Sequence, residues 1–258
     1  MTQPTPESGR TPRFFNMDQF TLGQKLTFER ICPPIESSSE ETKLPLEVNI
    51  LKFIRIGPSR RSQILLVSVD FPSAGQGPFV AKCFDPSFCP SEEAAEAGQT
   101  VLEYYATRSK VEAEVYERLA AFQGQYIPKF YGRYRYASTS GHATAILLEY
   151  VCNASLDGFH DGLPQNELRR LLDIGTTALG AIHSCGVFHY DIQPSNVFWS
   201  PEKKALRIVD WEFARRDPPL EAVEDWTKSD RFELLRALEC CGLPRTEMEI
   251  PNGASWVL

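Results

Sequence analysis

The chain holds 258 residues with a net charge of −7, 42% hydrophobic and 24% charged. That length suffices for one large domain or two lobes with separate cores, and the composition is that of a globular chain. The negative balance excludes nucleic-acid binding driven by phosphate contacts, and no apolar run approaches the ~20 residues of a membrane span.

In chain order, residues 1–13 are rich in Pro, Thr, Ser and Gly and predict disorder. No apolar signal-peptide core is visible there. Phe14 to Cys32 carries scattered apolar residues and reads as an extension that packs on the domain behind it. Residues 33–46 read as a polar linker, so 1–46 forms a partly disordered extension. Residues 48–56 and 63–69 predict two strands around the turn Gly57-Pro58-Ser59-Arg60-Arg61-Ser62. A third strand, Pro78-Phe-Val-Ala-Lys82, ends on a lysine.

Residues 84–98 form an acidic insertion, and a helix around Lys110 to Leu119 follows and reaches Ala121. Glu112, Tyr116 and Leu119 are spaced by four and three and share one helix face. Glu114 lies elsewhere on the wheel, and Glu114 and Glu117 read as a solvated acidic face. Residues 127–136 and 143–151 predict two more strands around Ser138-Thr-Ser-Gly141. Asn166 to His183 has apolar residues at 168, 171, 172, 179 and 182, an amphipathic helix stopped by Gly186. A short hairpin, 197–199 and 206–209, then presents Asp210, and Ser229 to Gly242 predicts a last helix. The seven cysteines have no Cys-x-x-Cys spacing, which suggests reduced structural thiols in a cytosolic or nuclear setting.

The most chemically informative stretch is His189-Tyr-Asp191-Ile-Gln-Pro-Ser-Asn196, followed by Ile-Val-Asp210-Trp. It supplies a carboxylate able to orient a hydroxyl and hard oxygen donors able to hold Mg²⁺. The stretch resembles the catalytic loop and metal motif of the protein kinase superfamily, His-Arg-Asp-Leu-x-x-x-x-Asn and Asp-Phe-Gly. The resemblance extends over roughly residues 48–242 in the order strand Lys, helix Glu, apolar strand, helix, catalytic loop, metal Asp. It implies an α+β, two-lobed fold, with a five-stranded antiparallel first lobe at 47–148, a reduced helical second lobe at 149–242 and a tail at 243–258.

The same resemblance implies ATP and Mg²⁺ as cofactors. Lys82, paired with Glu112, would hold the nucleotide phosphates, and the backbone at Glu149 and Val151 would meet the adenine. Asn196 and Asp210 would bind the metal, and Asp191 would act as the catalytic carboxylate. His189 reads as a buried structural residue, and His183 as core or surface.

Several positions depart from the family pattern. The turn at 57–62 has one glycine, with Arg60 or Arg61 as an electrostatic substitute. Tyr190 stands where an Arg is usual, Gln193 where a Lys is usual, and Trp211-Glu212 where Phe-Gly is usual. Only a short segment separates Asp210 from the last helix. In this reduced ending the chain is similar to fungal kinase-like proteins and to the aminoglycoside and choline kinase branch. The expected activity is γ-phosphoryl transfer to a protein Ser/Thr or small-molecule hydroxyl. The rival reading is a pseudokinase, a nucleotide-binding or interaction module.

Overall fold

The computed structural model describes residues 20–31, 45–57, 60–69, 77–88, 91–139 and 141–245. The predicted disorder at 1–13 and nearly all of the linker at 33–46 lie outside them. Six strands close into a barrel: β1 Lys25–Arg30, β2 Leu46–Arg55, β3 Gln63–Val69, β4 Pro78–Phe84, β5 Phe130–Ser138 and β6 Gly141–Glu149. Their order around the barrel is β1-β2-β3-β4-β6-β5, with every pairing antiparallel.

The expected five-stranded lobe therefore has a sixth strand, β1, drawn from the extension. The physical reason is alternation: Leu26 and Phe28 point inward while Lys25, Thr27 and Glu29 stay in solvent. Phe28 packs on Tyr134 and Tyr136, with ring centroids 5.7 and 5.6 Å away. Closure comes from Glu29 and Arg30 pairing with Arg135 and Tyr134 of β5, which leaves no free sheet edge there.

The acidic insertion contains a one-turn helix, α1 (Ser91–Glu96). The next helix, α2 (Val101–Arg118), is longer at its start than its sequence suggested. A capping box explains the early start: Thr100 accepts from the Glu103 N–H, and Glu103 accepts from the Thr100 N–H. Tyr116 stacks on Phe130 of β5 with centroids 5.5 Å apart, fixing α2 against the barrel.

After β6 come β7 (Ala154–Ser155), α3 (Gln165–Ser184), β8 (Val187–Phe188), the hairpin β9 (Val197–Ser200) and β10 (Ala205–Ile208), β11 (Arg215–Arg216) and α4 (Val223–Glu239). Gly186 ends α3 in the left-handed conformation, φ +67°, and its N–H donates to the His183 carbonyl. Helices α3 and α4 pack closely at Gly175, where a Cβ would come within 2.9 Å of Leu234. Helix α4 begins six residues ahead of the predicted Ser229, because Glu224 and Asp225 favour a helical first turn.

Two apolar clusters result. One fills the barrel around Phe28, Val67 and Leu147. The other joins α2 to α3, α4 and the hairpin through Tyr116, Leu179, Trp199 and Trp211. Among the described residues no helix is long and apolar enough to cross a membrane.

Candidate active site

Lys82 lies on β4, hydrogen-bonded between β3 and β6, and is only 3% exposed. Its Nζ donates to Glu112 Oε2 at 2.6 Å and to Asp210 Oδ1. Glu212 Oε2 lies 3.0 Å from the same ammonium. Glu112, Tyr116 and Leu119 are all buried, so the helix face read from sequence is the inward one. Glu114 instead pairs with Lys110 and Arg216 near the surface.

One buried ammonium thus meets three carboxylates, an excess of negative charge. Burial alone would lower the Lys82 pKa, but Asp210, Glu112 and Glu212 outweigh it and push it well above the usual lysine value. Glu112 moves the other way. Burial, with the charges of Asp210 and Glu212, raises it to about 7 against the pull of Lys82. Burial also works against the Asp210 carboxylate, yet the Lys82 charge and hydrogen bond hold it below the usual range.

Asp210 sits at φ +71° and Tyr190 at φ +63°, sparsely populated conformations for residues with a Cβ. Contacts from other elements hold both: the Asp210 carboxylate accepts from Lys82 of β4, and the Tyr190 N–H donates to Asp230 of α4. His189 Nδ1 accepts from the Asp191 N–H at 3.2 Å, so Nε2 carries the proton and donates to the Val209 carbonyl at 2.9 Å. The imidazole also packs on Trp211, 4.4 Å between ring centroids. His189 is fully buried and ties the catalytic-loop stretch to the segment carrying Asp210.

Asn196 donates through Nδ2 to the Asp191 carbonyl at 2.9 Å, which commits its amide nitrogen to the loop. Its Oδ1 meets the Ser195 hydroxyl at 3.3 Å. Asp191 Oδ2 accepts from Gln193 Nε2 at 3.2 Å. Burial raises the Asp191 pKa, the Asp210 charge adds to this, and His189 and Gln193 oppose it.

A cavity of about 550 Å³ opens beside these groups. Val80, Leu148 and Phe198 give it apolar walls, and Lys82, Asn196 and Asp210 lie on its lining. Glu149 and Val151 border it as well. The Glu149 side chain turns to structure, accepting from the Lys129 N–H at 3.0 Å. Asp191 is not part of the cavity wall, whereas Asn196, bonded to it, is.

The donor set fits a divalent cation. Ligand oxygens of Glu112, Asp210 and Glu212 lie within 4.8 Å of one another. Glu112 Oε1 is buried without a hydrogen-bond donor among the described residues. Asn196 adds a neutral amide oxygen. All are hard donors, suited to Mg²⁺ rather than to a soft metal.

The segment after Asp210 is pinned by α2. Arg108 donates to the Glu212 carbonyl at 3.1 Å and lies over Phe213. Arg216 pairs with Glu114 at 2.8 Å, and Arg118 grips Asp217 with both terminal nitrogens. Arg215 covers the Tyr190 ring at 4.1 Å. These contacts hold the segment against α2 and the loop carrying Tyr190.

Two carboxylates escaped the sequence reading. Asp230 of α4, fully buried, accepts from the His189 N–H at 2.8 Å, the Tyr190 N–H at 2.9 Å and His183 Nε2 at 2.9 Å. Glu233 accepts from the Ile192 N–H at 2.9 Å. Together they anchor the amides of His189, Tyr190 and Ile192 in the loop ahead of Asn196. A signal for Asp230 existed: it falls in register with Leu234, Ala237 and Leu238, the buried face of α4. The same in-line logic singled out Glu112.

Comparison with known families matches residues 100–231 to the protein kinase domain. The match runs from the start of α2 into α4 and covers just over half of the chain. It contains Glu112, Asp191, Asn196 and Asp210, while Lys82 lies on the barrel strand ahead of it. An α+β arrangement with a Lys–Glu pair and two loop-borne acids beside one cavity accompanies that match. The chain belongs to the protein kinase superfamily.

Proposed function

We propose that the protein is an ATP- and Mg²⁺-dependent phosphotransferase, with the barrel as first lobe and the helices as second. The observation that carries this reading is the Lys82–Glu112 pair meeting Asp210 on the wall of a nucleotide-sized cavity. Lys82 would hold the phosphates, and main chain near Glu149 and Val151 would hold the base. Mg²⁺ on Asp210 and Asn196 would supply charge neutralisation on the phosphates. Asp191 Oδ would take the proton of the acceptor hydroxyl. Most of the acceleration would come from positioning and charge rather than from covalent steps.

The acceptor is read as a hydroxyl, with a protein Ser/Thr as the default. A small molecule is the rival, because only the short stretch 211–222 separates Asp210 from α4. A different reading, a nucleotide-binding or interaction module without turnover, draws support from Gln193. It places a neutral amide on Asp191 where a lysine would aid the transferring phosphate.

The metal assignment is tested by thermal shift. ATP with Mg²⁺ should raise the unfolding temperature more than ATP with a chelator, and Asp210→Ala should erase that difference. A shift that is the same with and without Mg²⁺ in the unmutated protein removes the metal site from the account.

A further inference from the structure

The phosphate end of the cavity lacks two parts that would balance nucleotide charge. Gln193 takes a cationic position, and the turn between β2 and β3 has a single glycine. Two amides of that turn, those of Gly57 and Arg60, are also committed. The Gly57 N–H donates to Gln63 Oε1 at 2.7 Å, and Gln63 Nε2 returns to the Gly57 and Arg60 carbonyls. The Arg60 N–H donates to the Gly57 carbonyl at 3.2 Å. Gln63 itself is buried, so this brace is internal to the fold. Arg61 is engaged elsewhere, bonded to Glu93 at 2.6 Å and lying over Phe213.

Arg55 differs from both turn arginines. It is the last residue of β2, and the pairing with β3 shifts register between Phe53 and Arg55. A register shift of this kind re-aims side chains at the end of a strand. Here Arg55 lines the cavity together with Lys82 and Asp210. One terminal nitrogen lies 3.8 Å from Asp210 Oδ2 and makes a 3.4 Å contact with Ser62. Its Nε is buried with no hydrogen-bond partner among the described residues. A guanidinium on the cavity wall with an unused N–H, beside a carboxylate suited to metal, offers the charged donors from which anionic phosphate oxygens accept.

We infer that Arg55 binds the phosphates of the nucleotide, supplying with one side chain what the committed Gly57 and Arg60 amides do not. The inference rests on the nucleotide reading above and adds to it a residue, a contact and a specificity: affinity should depend on phosphate charge through β2. Arg55→Met keeps the apolar stem and removes the fork, while Arg55→Lys keeps a charge without the fork.

The experiment is calorimetric titration of the unmutated protein and both variants with MgATP and with adenosine, after checking that unfolding temperatures agree. Arg55→Met should weaken MgATP binding about tenfold, the scale of one charge-assisted hydrogen-bond fork, about 1.4 kcal/mol. Adenosine affinity should not change, and Arg55→Lys should recover part of the loss. If the unmutated protein binds MgATP and Arg55→Met binds it equally well, Arg55 has no such role and the nucleotide reading stands. Equal losses for MgATP and adenosine also overturn the inference, because the effect is then on pocket shape. If the unmutated protein binds no MgATP, the nucleotide reading and this inference fall together.

Discussion

Replacing Asp191 with Asn should lower phosphoryl transfer by about 10²–10⁴-fold, the usual loss when a general base is removed. Nucleotide affinity should be unchanged, because Asp191 does not line the cavity whereas Lys82, Asn196 and Asp210 do. The substitution keeps the side-chain volume and retains one oxygen to accept from Gln193 Nε2. It removes the negative charge that, on the proposed reading, would take the hydroxyl proton. Single-turnover kinetics separates this outcome from a binding defect. A variant that binds MgATP and turns it over at the unmutated rate would take the catalytic role away from Asp191.

Asp230→Ala carries the largest expected effect on stability. The carboxylate is fully buried and satisfies two backbone amides and His183. Removing it strands the His189 and Tyr190 N–H groups inside the fold, and each orphaned donor costs about 1–3 kcal/mol. Tyr190 at φ +63° also loses a bond that holds its unfavourable conformation. A loss of about 3–5 kcal/mol in chemical denaturation is expected. Exposed Asp217 is the contrast: it pairs with Arg118 at the surface, where solvent screens the pair, and its removal should cost far less than that of Asp230. Equal losses for the two variants would contradict the anchoring role of Asp230.

Much of this arrangement was legible because it rests on local spacing. Glu112, Tyr116 and Leu119 share a face by helical period, and the structure buries all three. Asp191 and Asn196 lie within one loop, so their proximity follows from chain connectivity. The hairpin 197–208 is similarly local. What the sequence hid was long-range or blurred. Leu26 and Phe28 alternate correctly for a strand, but only two inward residues in a polar stretch are a weak signal. Their partners on β2, Val48 and Leu46, lie 22 and 18 residues away, and the β5 partners of Glu29 and Arg30 lie 106 and 104 residues away.

The site has the same division. Lys82 meets Asp210 across 128 residues, a contact the sequence reading did not name, since it paired Lys82 with Glu112 alone. Glu212 was read as a departure from a glycine, yet it reaches the same ammonium. Arg55 was passed over in favour of Arg60 and Arg61; Arg61 looks available until its bond to Glu93 is seen, and the cavity lining holds Arg55 but neither turn arginine. A register shift in β2 carries no mark in the residue pattern, so the aim of Arg55 emerges only from the paired strands.

The central claim, that the cavity and its acids perform phosphoryl transfer, is tested most directly by ADP formation from ATP. The purified unmutated protein would be incubated with ATP and Mg²⁺, and in parallel with ATP and a chelator. Protein and small-molecule hydroxyl acceptors would be supplied in turn, with water as the background acceptor. The predicted result is ADP formation that requires Mg²⁺ and rises with one acceptor class. MgATP bound tightly, with no ADP formed above the protein-free rate under any acceptor, would contradict the claim and leave a nucleotide-binding module.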